Sequence, residues 1–296
     1  MSANHGRRAF AALIFGVLCI GFSALFVKIA GVPGPVSAFY RLVFAGAVLL
    51  PWWLATRPSL PGRGDLLLTL AGGAFFAFDL TLWNSGLLLT SAAAATLLAN
   101  NAPVWVGLGA LLIFRERLAA RFWTGLACAM GGMVLIVGSN AVGVPEMNRG
   151  DILSIGASLF YAAYLLTTQR ARSRTDTLTF MTISVAAGAG IMLVVVLSLG
   201  LPLAGFSGTS WAALAGLGLV SHLAGWLAIN YALGHLRAAA VSVTLLGQAV
   251  VTTLVAMPLL GEYLAAGQAA GGLLVLTGIY LVNSRRKPAR YGEPGD

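Results

Sequence analysis

Apolar residues run through the chain in ten long blocks, separated by short joints rich in Arg, Pro and Gly. The blocks cover 8–30, 35–56, 65–87, 91–114, 120–139, 151–170, 177–199, 209–231, 237–260 and 264–284. About 20 apolar residues suffice for a helix to cross bilayer hydrocarbon, and each block reaches that length. None alternates apolar and polar positions as a membrane β-strand does. The pattern predicts an all-α integral membrane protein with ten transmembrane helices. The run Ala9–Val27 is long for a signal-peptide core, and no small-x-small cleavage site precedes a polar mature domain, so it reads as a retained first helix.

Composition agrees. Of the 296 residues 58% are hydrophobic and 9% are charged, against about 25% charged in an ordinary soluble domain. No polar stretch is long enough for a separate soluble catalytic module. The net charge of +9 follows topology rather than nucleic acid. With the N-terminus inside, Arg7, Arg8, Arg57, Arg63, Arg115, Arg117, Arg121, Arg170, Arg172, Arg174, Arg237, Arg285, Arg286, Lys287 and Arg290 share one side. Lys28 and Arg149 fall on the other, and Arg41 lies within a block. The positive-inside rule then places both termini in the cytoplasm of a bacterial-type inner membrane. Cys19 and Cys128 sit inside apolar runs, which argues against a disulfide framework.

A shift of 146 residues superposes the halves without a gap. Asn84 falls on Asn230, Ala92–Ala94 on Ala238–Ala240, Val104 on Val250, Glu116 on Glu262, Leu118 on Leu264, Gly125 on Gly271 and Gly132 on Gly278. Five blocks per half is an odd number, so the halves insert with opposite orientation, Glu116 ending its block inside and Glu262 outside. Two inverted five-helix repeats, 1–144 and 145–296, around a central cavity are the arrangement of secondary transporters, with the substrate site near the midplane.

The pattern Ala92–Ala94, Asn100–Pro103, Arg115-Glu116-Arg117-Leu118, Gly125 and Gly132 resembles the ten-helix, EamA-type exporters of the drug/metabolite transporter superfamily. Ala238–Ala240, Gly261-Glu262-Tyr263-Leu264, Gly271 and Gly278 repeat it. Within that superfamily the chain looks most like the exporters of aromatic and neutral amino acids. The resemblance implies two five-helix halves, a central cavity and export of small metabolites across the inner membrane. One departure stands out: Ala249 occupies the position of Pro103, so a break in the fourth helix need not recur in the ninth.

Polar groups inside a bilayer are costly and face the bundle interior, so they mark candidate site positions. Asp79, beside Phe78 and a turn before Leu82 and Trp83, can bind a substrate ammonium or carry a proton. Asn100, Asn101 and Pro103 interrupt the fourth block, with Trp105 just beyond; proline frees a backbone carbonyl, and Asn101 both donates and accepts. In the other half Gln248 shares a face with Thr244, whereas Ser242 points elsewhere. Tyr161 can supply an aromatic wall with one hydroxyl, with Tyr164 reading as core. His222, one turn from Trp226, is a second candidate for proton coupling beside Asp79. Arg41, near the outer face, can snorkel to headgroups or attract a carboxylate at the cavity mouth. Glu116 and Glu262 read as braces of helical connections. Pro51, Pro103 and Pro258 are candidate bending points, and glycines such as Gly267 and Gly271 allow close helix contact.

No Walker-type phosphate loop appears, and no His, Cys and carboxylate spacing suits a metal; no cofactor is expected. The function expected is export of small amphipathic metabolites, neutral or aromatic amino acids above all, by alternating access. Partners are the substrate and membrane lipid, without nucleic acid, and a monomer is expected. The alternatives are a multidrug exporter of lipophilic cations and, in another class, a membrane enzyme or lipid scramblase. The Arg115-Glu116-Arg117 patch lacks a neighbouring His or Cys nucleophile, so the chain is not expected to be an enzyme.

Overall fold

A computed structural model describes residues 3–89, 92–138, 148–260 and 265–284. Among them ten helices are long and apolar enough to cross a membrane, and no strand is present. They are α1 Gly6–Ala30, α2 Gly34–Thr56, α3 Arg63–Gly86, α4 Ala95–Leu112, α5 Ala120–Val137, α6 Arg149–Arg172, α7 Thr177–Ser198, α8 Gly208–Leu233, α9 Ala238–Val255 and α10 Ala266–Asn283. Glu262 with its neighbours Gly261, Tyr263 and Leu264, and Arg285, Arg286, Lys287 and Arg290, lie outside the described residues.

The joints stop and start helices by familiar local chemistry. The Asn148 side chain accepts from Gly150 N (2.8 Å) and Asp151 N (3.1 Å), and Asp151 returns the bond to Asn148 N (2.9 Å), a capping box that opens α6. Asp176 accepts from Thr179 N (2.9 Å) at the start of α7. Burial alone would raise the Asp176 carboxyl, but the bonds from Thr179 and Leu178 and the nearby Arg172 charge together hold it below the ordinary range. At the end of α2, Arg57 takes a left-handed conformation (φ 45°) with its N–H on the Leu54 carbonyl.

Three membrane helices are interrupted and one is locally widened. α4 turns at Asn100–Asn101, where Pro103 has no N–H for the Ala99 carbonyl. α9 turns at Leu246, the position that the 146-residue shift assigns to Asn100. The break therefore recurs in the ninth helix although the proline does not. Gly247, which follows Leu246 and has weak helix propensity, stands there instead. α1 turns at Phe22, and carbonyls beside the turn accept from other helices: Ser221 Oγ donates to Cys19 O (3.0 Å), which also accepts from Phe22 N (3.3 Å), and Thr252 Oγ1 donates to Gly21 O (2.7 Å). α8 adopts π-helical winding over Leu217–Trp226, a geometry frequent at functional sites. Pro51, by contrast, sits in a continuous α2, and Pro258 lies in the uninterrupted helix Gly247–Leu260.

Helix packing follows a simple exchange rule. α3 lies against α6, and α8 against α1; α4 lies against α6, and α9 against α1; α3 lies against α7, and α8 against α2. Swapping the first five helices for the last five turns each pair into its companion. The pairs α2–α7, α4–α9 and α5–α10 map onto themselves. The last is closest. Gly125 faces Gly278 and Gly132 faces Gly271, so α5 and α10 run antiparallel with backbone on backbone. Lipid supplies no hydrophobic drive between helices, so such contacts rest on close van der Waals approach between small residues. Large apolar side chains such as Leu67, Val194 and Leu273 point outward, as a helix surface in hydrocarbon requires.

Candidate functional site

A cavity of about 310 Å³ lies among the helices. Its wall draws on the second half of α1 (Ile20, Ser23, Val27), the first third of α2 (Arg41), the second half of α3 (Phe76, Asp79, Leu80, Trp83), the first part of α4 (Thr96, Asn100) and the end of α5 (Ile136, Val137). Odd helices end, and even helices begin, at the end of the bundle away from the arginine-rich joints. The cavity is thus displaced toward that end. Its floor is aromatic. Phe76 stands 5.1 Å from Trp226 and 5.0 Å from Tyr164, and Tyr161 stands 6.0 Å from Trp226 between ring centroids. From α9, Gln248 donates to Asn100 Oδ1 at 3.4 Å, a bond joining the two broken helices; Thr252 and Thr253 continue that wall.

A basic and an acidic side chain, Arg41 and Asp79, open onto this space. The Arg41 guanidinium carbon lies 5.8 Å from the centroid of the Phe76 ring. Asp79 stands one turn further along α3. They are within electrostatic reach but form neither a salt bridge nor a hydrogen bond, and Arg41 Nε is buried without a partner. Ser23 Oγ, also on the cavity wall, is another buried polar atom without a partner.

The opposite end of the bundle is closed by a polar cluster. Gln169 at the end of α6 accepts from the Ala238 backbone N–H at the start of α9. Its amide donates to Glu116 Oε1 (3.4 Å), and Arg237 Nε lies 3.8 Å from Glu116 Oε2. Glu116 thus braces the ends of α4, α6 and α9.

Helical phase decides which sequence candidates reach the cavity. Asp79, Trp83, Asn100, Tyr161 and Gln248 lie on its wall. On α3 the wall is Phe76, Asp79, Leu80 and Trp83, a stripe of i, i+3, i+4 and i+7. Phe78 and Leu82 are off that stripe. Phe78 is 45% exposed on the outer surface, with its ring 5.3 Å from Phe160, and Leu82 packs toward Gly156 of α6. Beyond the break in α4 the chain turns away from the cavity. Asn101 bonds Val104 N through its carbonyl (3.0 Å), Pro103 is buried, and Trp105 Nε1 donates to Ser158 Oγ (2.8 Å) on α6. Thr244 lies deeper than the cavity, donating to Ala240 O (2.8 Å) and accepting from Asn283 (3.0 Å). His222 stands behind Phe76, ring centroids 5.4 Å apart, with Nδ1 unpartnered; it lines a second void of about 10 Å³ with Ser184, Tyr164 and Gly73. The shift of 146 carries Phe76 onto His222, so this contact maps onto itself.

Sequence reasoning did not single out Ser23, Thr96, Thr252 and Thr253. The Gln248–Thr252 spacing carried a signal, since residues four apart share a helix face. Ser23 and Thr96 carried none, because hydroxyl residues are common in membrane helices. Among the described residues no group of three His, Cys, Asp or Glu is placed to hold a metal ion.

Comparison with known proteins gives a concordant result. The chain is 25% identical to an uncharacterized transporter of Archaeoglobus fulgidus over 272 residues, 92% of this chain and 94% of that one. It is 28% identical to the uncharacterized transporter YdfC of Bacillus subtilis over 125 residues, 42% of this chain and 41% of YdfC. A solved crystal structure superposes with a TM-score of 0.80 at 20% identity, covering 95% of this chain and 99% of that one, which shows a shared fold. The EamA-like transporter family matches twice, at residues 7–138 and again at 148–284. With both matches spanning nearly all of the ten helices, the chain belongs to the EamA-like transporter family.

Proposed function

We propose that this transporter exports small amphipathic metabolites, neutral and aromatic amino acids foremost, by alternating access between the halves 1–144 and 145–296. The observation that carries the reading is the cavity. Its volume of about 310 Å³ is at the small end of ligand sites, which run from about 300 to 1,000 Å³. An aromatic floor, two amide side chains, one basic and one acidic side chain suit a small molecule with an apolar body and a polar head. The Arg-rich end faces the cytoplasm by the positive-inside rule. The cavity then faces outward, with the Glu116–Gln169 cluster closed beneath it.

Rocking of one half against the other would close the outer side and part the Gln169–Ala238 contact. The turns at Phe22, Asn100 and Leu246 are natural bending points, because their backbones already depart from continuous helix. Of the two candidate coupling residues, Asp79 opens onto the cavity and His222 is screened by Phe76. Asp79 is therefore the better placed to exchange a proton for substrate.

The test is reconstitution of the purified protein in proteoliposomes with a panel of labelled amino acids, with and without a pH gradient. Transport of aromatic and neutral amino acids is expected. Asp79→Asn should abolish the acceleration by the gradient. An unchanged response removes Asp79 from coupling, and failure of every amino acid to cross removes the substrate class. A cation exporter is the second reading, favoured by Asp79 beside aromatic rings; bulky lipophilic cations should then compete and amino acids should not.

A further inference from the structure

The geometry points to Arg41 and Asp79 as a two-point charge clamp that admits substrates bearing a carboxylate and an ammonium on one small scaffold, and rejects molecules carrying either charge alone. This inference rests on the proposed transport of amino acids and deepens it by saying what the site reads.

A structural ion pair in a bundle interior would be expected to close to contact, because two separated charges away from water each carry a desolvation cost. Here they stay apart. Arg41 lies over the Phe76 ring at 5.8 Å, and Asp79 projects from the next turn of the same helix as Phe76. Arg41, Phe76 and Asp79 all line the one cavity, so a ligand there can meet both ionisable groups.

The polar residues of the wall specify the arrangement. Arg41 and Ser23 line the same cavity, and each holds a buried polar atom, Nε and Oγ, without a protein partner. A carboxylate seated beside Arg41 pairs with its guanidinium, whose planar fork favours that group. Asp79 accepts from an ammonium, with Asn100 and Gln248 offering neutral acceptors on the same wall. The apolar side chain of the ligand then rests on Trp83, Tyr161 and Trp226.

Charge balance supplies the selectivity. With Asp79 ionised beside a bound ammonium, Arg41 and Asp79 sum to zero, and a zwitterion leaves that sum unchanged while pairing each charge. A lipophilic cation pairs Asp79 and leaves Arg41 buried, unpaired and repelled. A simple carboxylate does the converse. Rejection through an unpaired buried charge is a stronger discriminator than a difference in apolar contact.

The test is equilibrium binding to the full-length protein in detergent, read by ligand-dependent thermal shift and tryptophan fluorescence. The probes are phenylalanine, phenethylamine (no carboxylate), 3-phenylpropionate (no ammonium) and tetraphenylphosphonium. Wild type should bind phenylalanine at least 10-fold more tightly than either single-charge analogue. Arg41→Gln should weaken phenylalanine by about 10- to 100-fold, the usual range for losing a hydrogen bond to a charged group, and should leave phenethylamine equal or tighter. Asp79→Asn should mirror this, sparing 3-phenylpropionate. Arg41→Lys, which keeps the charge, should recover part of the loss and controls for folding should Arg41→Gln prove unstable. Phenylalanine binding that is equal in wild type, Arg41→Gln and Arg41→Lys overturns the clamp while leaving amino-acid transport in place. Wild-type binding of tetraphenylphosphonium or phenethylamine without binding of phenylalanine overturns the clamp and, with it, the aromatic amino-acid reading.

Discussion

The contact between α5 and α10 gives a sharp test of the packing. An alanine Cβ at Gly132 would lie 2.5 Å from the Gly271 carbonyl oxygen and 2.7 Å from Val275 N. At Gly271 it would lie 2.6 Å from the Gly132 carbonyl oxygen and 2.9 Å from Ile136 N. The obstacles are backbone atoms on both sides, so no side chain can rotate away. Ordinary van der Waals contact begins near 3.4 Å, and the helices must part by up to about 0.9 Å over this crossing. A gap of 0.5–1 Å forfeits about a quarter to a half of each dispersion contact. Overpacking of this kind costs about 1–3 kcal/mol. Gly132→Ala and Gly271→Ala should each destabilise by that amount. Once one Cβ has separated the helices the second enters space already made, so the double variant should cost clearly less than the sum. Gly190→Ala is the internal control. It lies in α7, where an added Cβ would meet nothing within 4 Å, and alanine should be neutral or stabilising there by about 0.5–1 kcal/mol. Thermal unfolding in one detergent, followed by intrinsic fluorescence, measures all four variants. If Gly132→Ala is no less stable than Gly190→Ala, or if the double variant costs the full sum, the close approach of the two helices is wrong.

Two other consequences follow from the polar joints. Glu116→Ala removes the acceptor that holds Gln169 and Arg237; since the Arg237 side chain is 68% exposed, the pair is worth only about 0.2–1 kcal/mol. The closed end should loosen by a factor of about 1.4 to 5, read as slower maleimide labelling of Ala99→Cys from the cavity side in a background lacking Cys19 and Cys128; unchanged labelling would remove Glu116 as a brace. Asp176→Ala should cost about 1 kcal/mol through loss of the α7 cap. Burial is the largest influence on the Asp176 carboxyl and raises it, but hydrogen bonds from Thr179 and Leu178 and the Arg172 charge together hold it below its ordinary value. Its contribution is therefore present above the unfolded pKa near 4 and fades as pH falls through the lower folded value. A stability difference between wild type and Asp176→Ala that stays constant down to about pH 2 would contradict this.

Ten helices were legible in the chain because the bilayer imposes one length and one polarity on every span. Nine of the ten starts read from the apolar runs lie within two residues of the helix bounds, and the start of α4 lies four away. The 146-residue shift was legible for a related reason. Gly125, Gly132, Gly271 and Gly278 are needed where backbones touch, so the repeat keeps them as marks. The polarity of Asp79, Asn100 and Gln248 likewise announced an interior that is not all apolar.

Helical phase and the partners across the bundle came only with the tertiary structure. Phe78 and Asp79 are neighbours in sequence and face opposite ways, and a window of apolar residues with little amphipathicity gives no phase of its own. Trp105 and Thr244 are polar for reasons local to α6 and α10: Ser158 and Asn283 satisfy them, and neither partner is near in sequence. Whether Arg41 snorkels or looks inward depends on Phe76, thirty-five residues along the chain on another helix. Solvent chemistry is a one-residue property and is written in the sequence, whereas the direction in which a side chain meets its neighbours is a property of how helices pack, and that is decided by contacts between segments far apart in the chain.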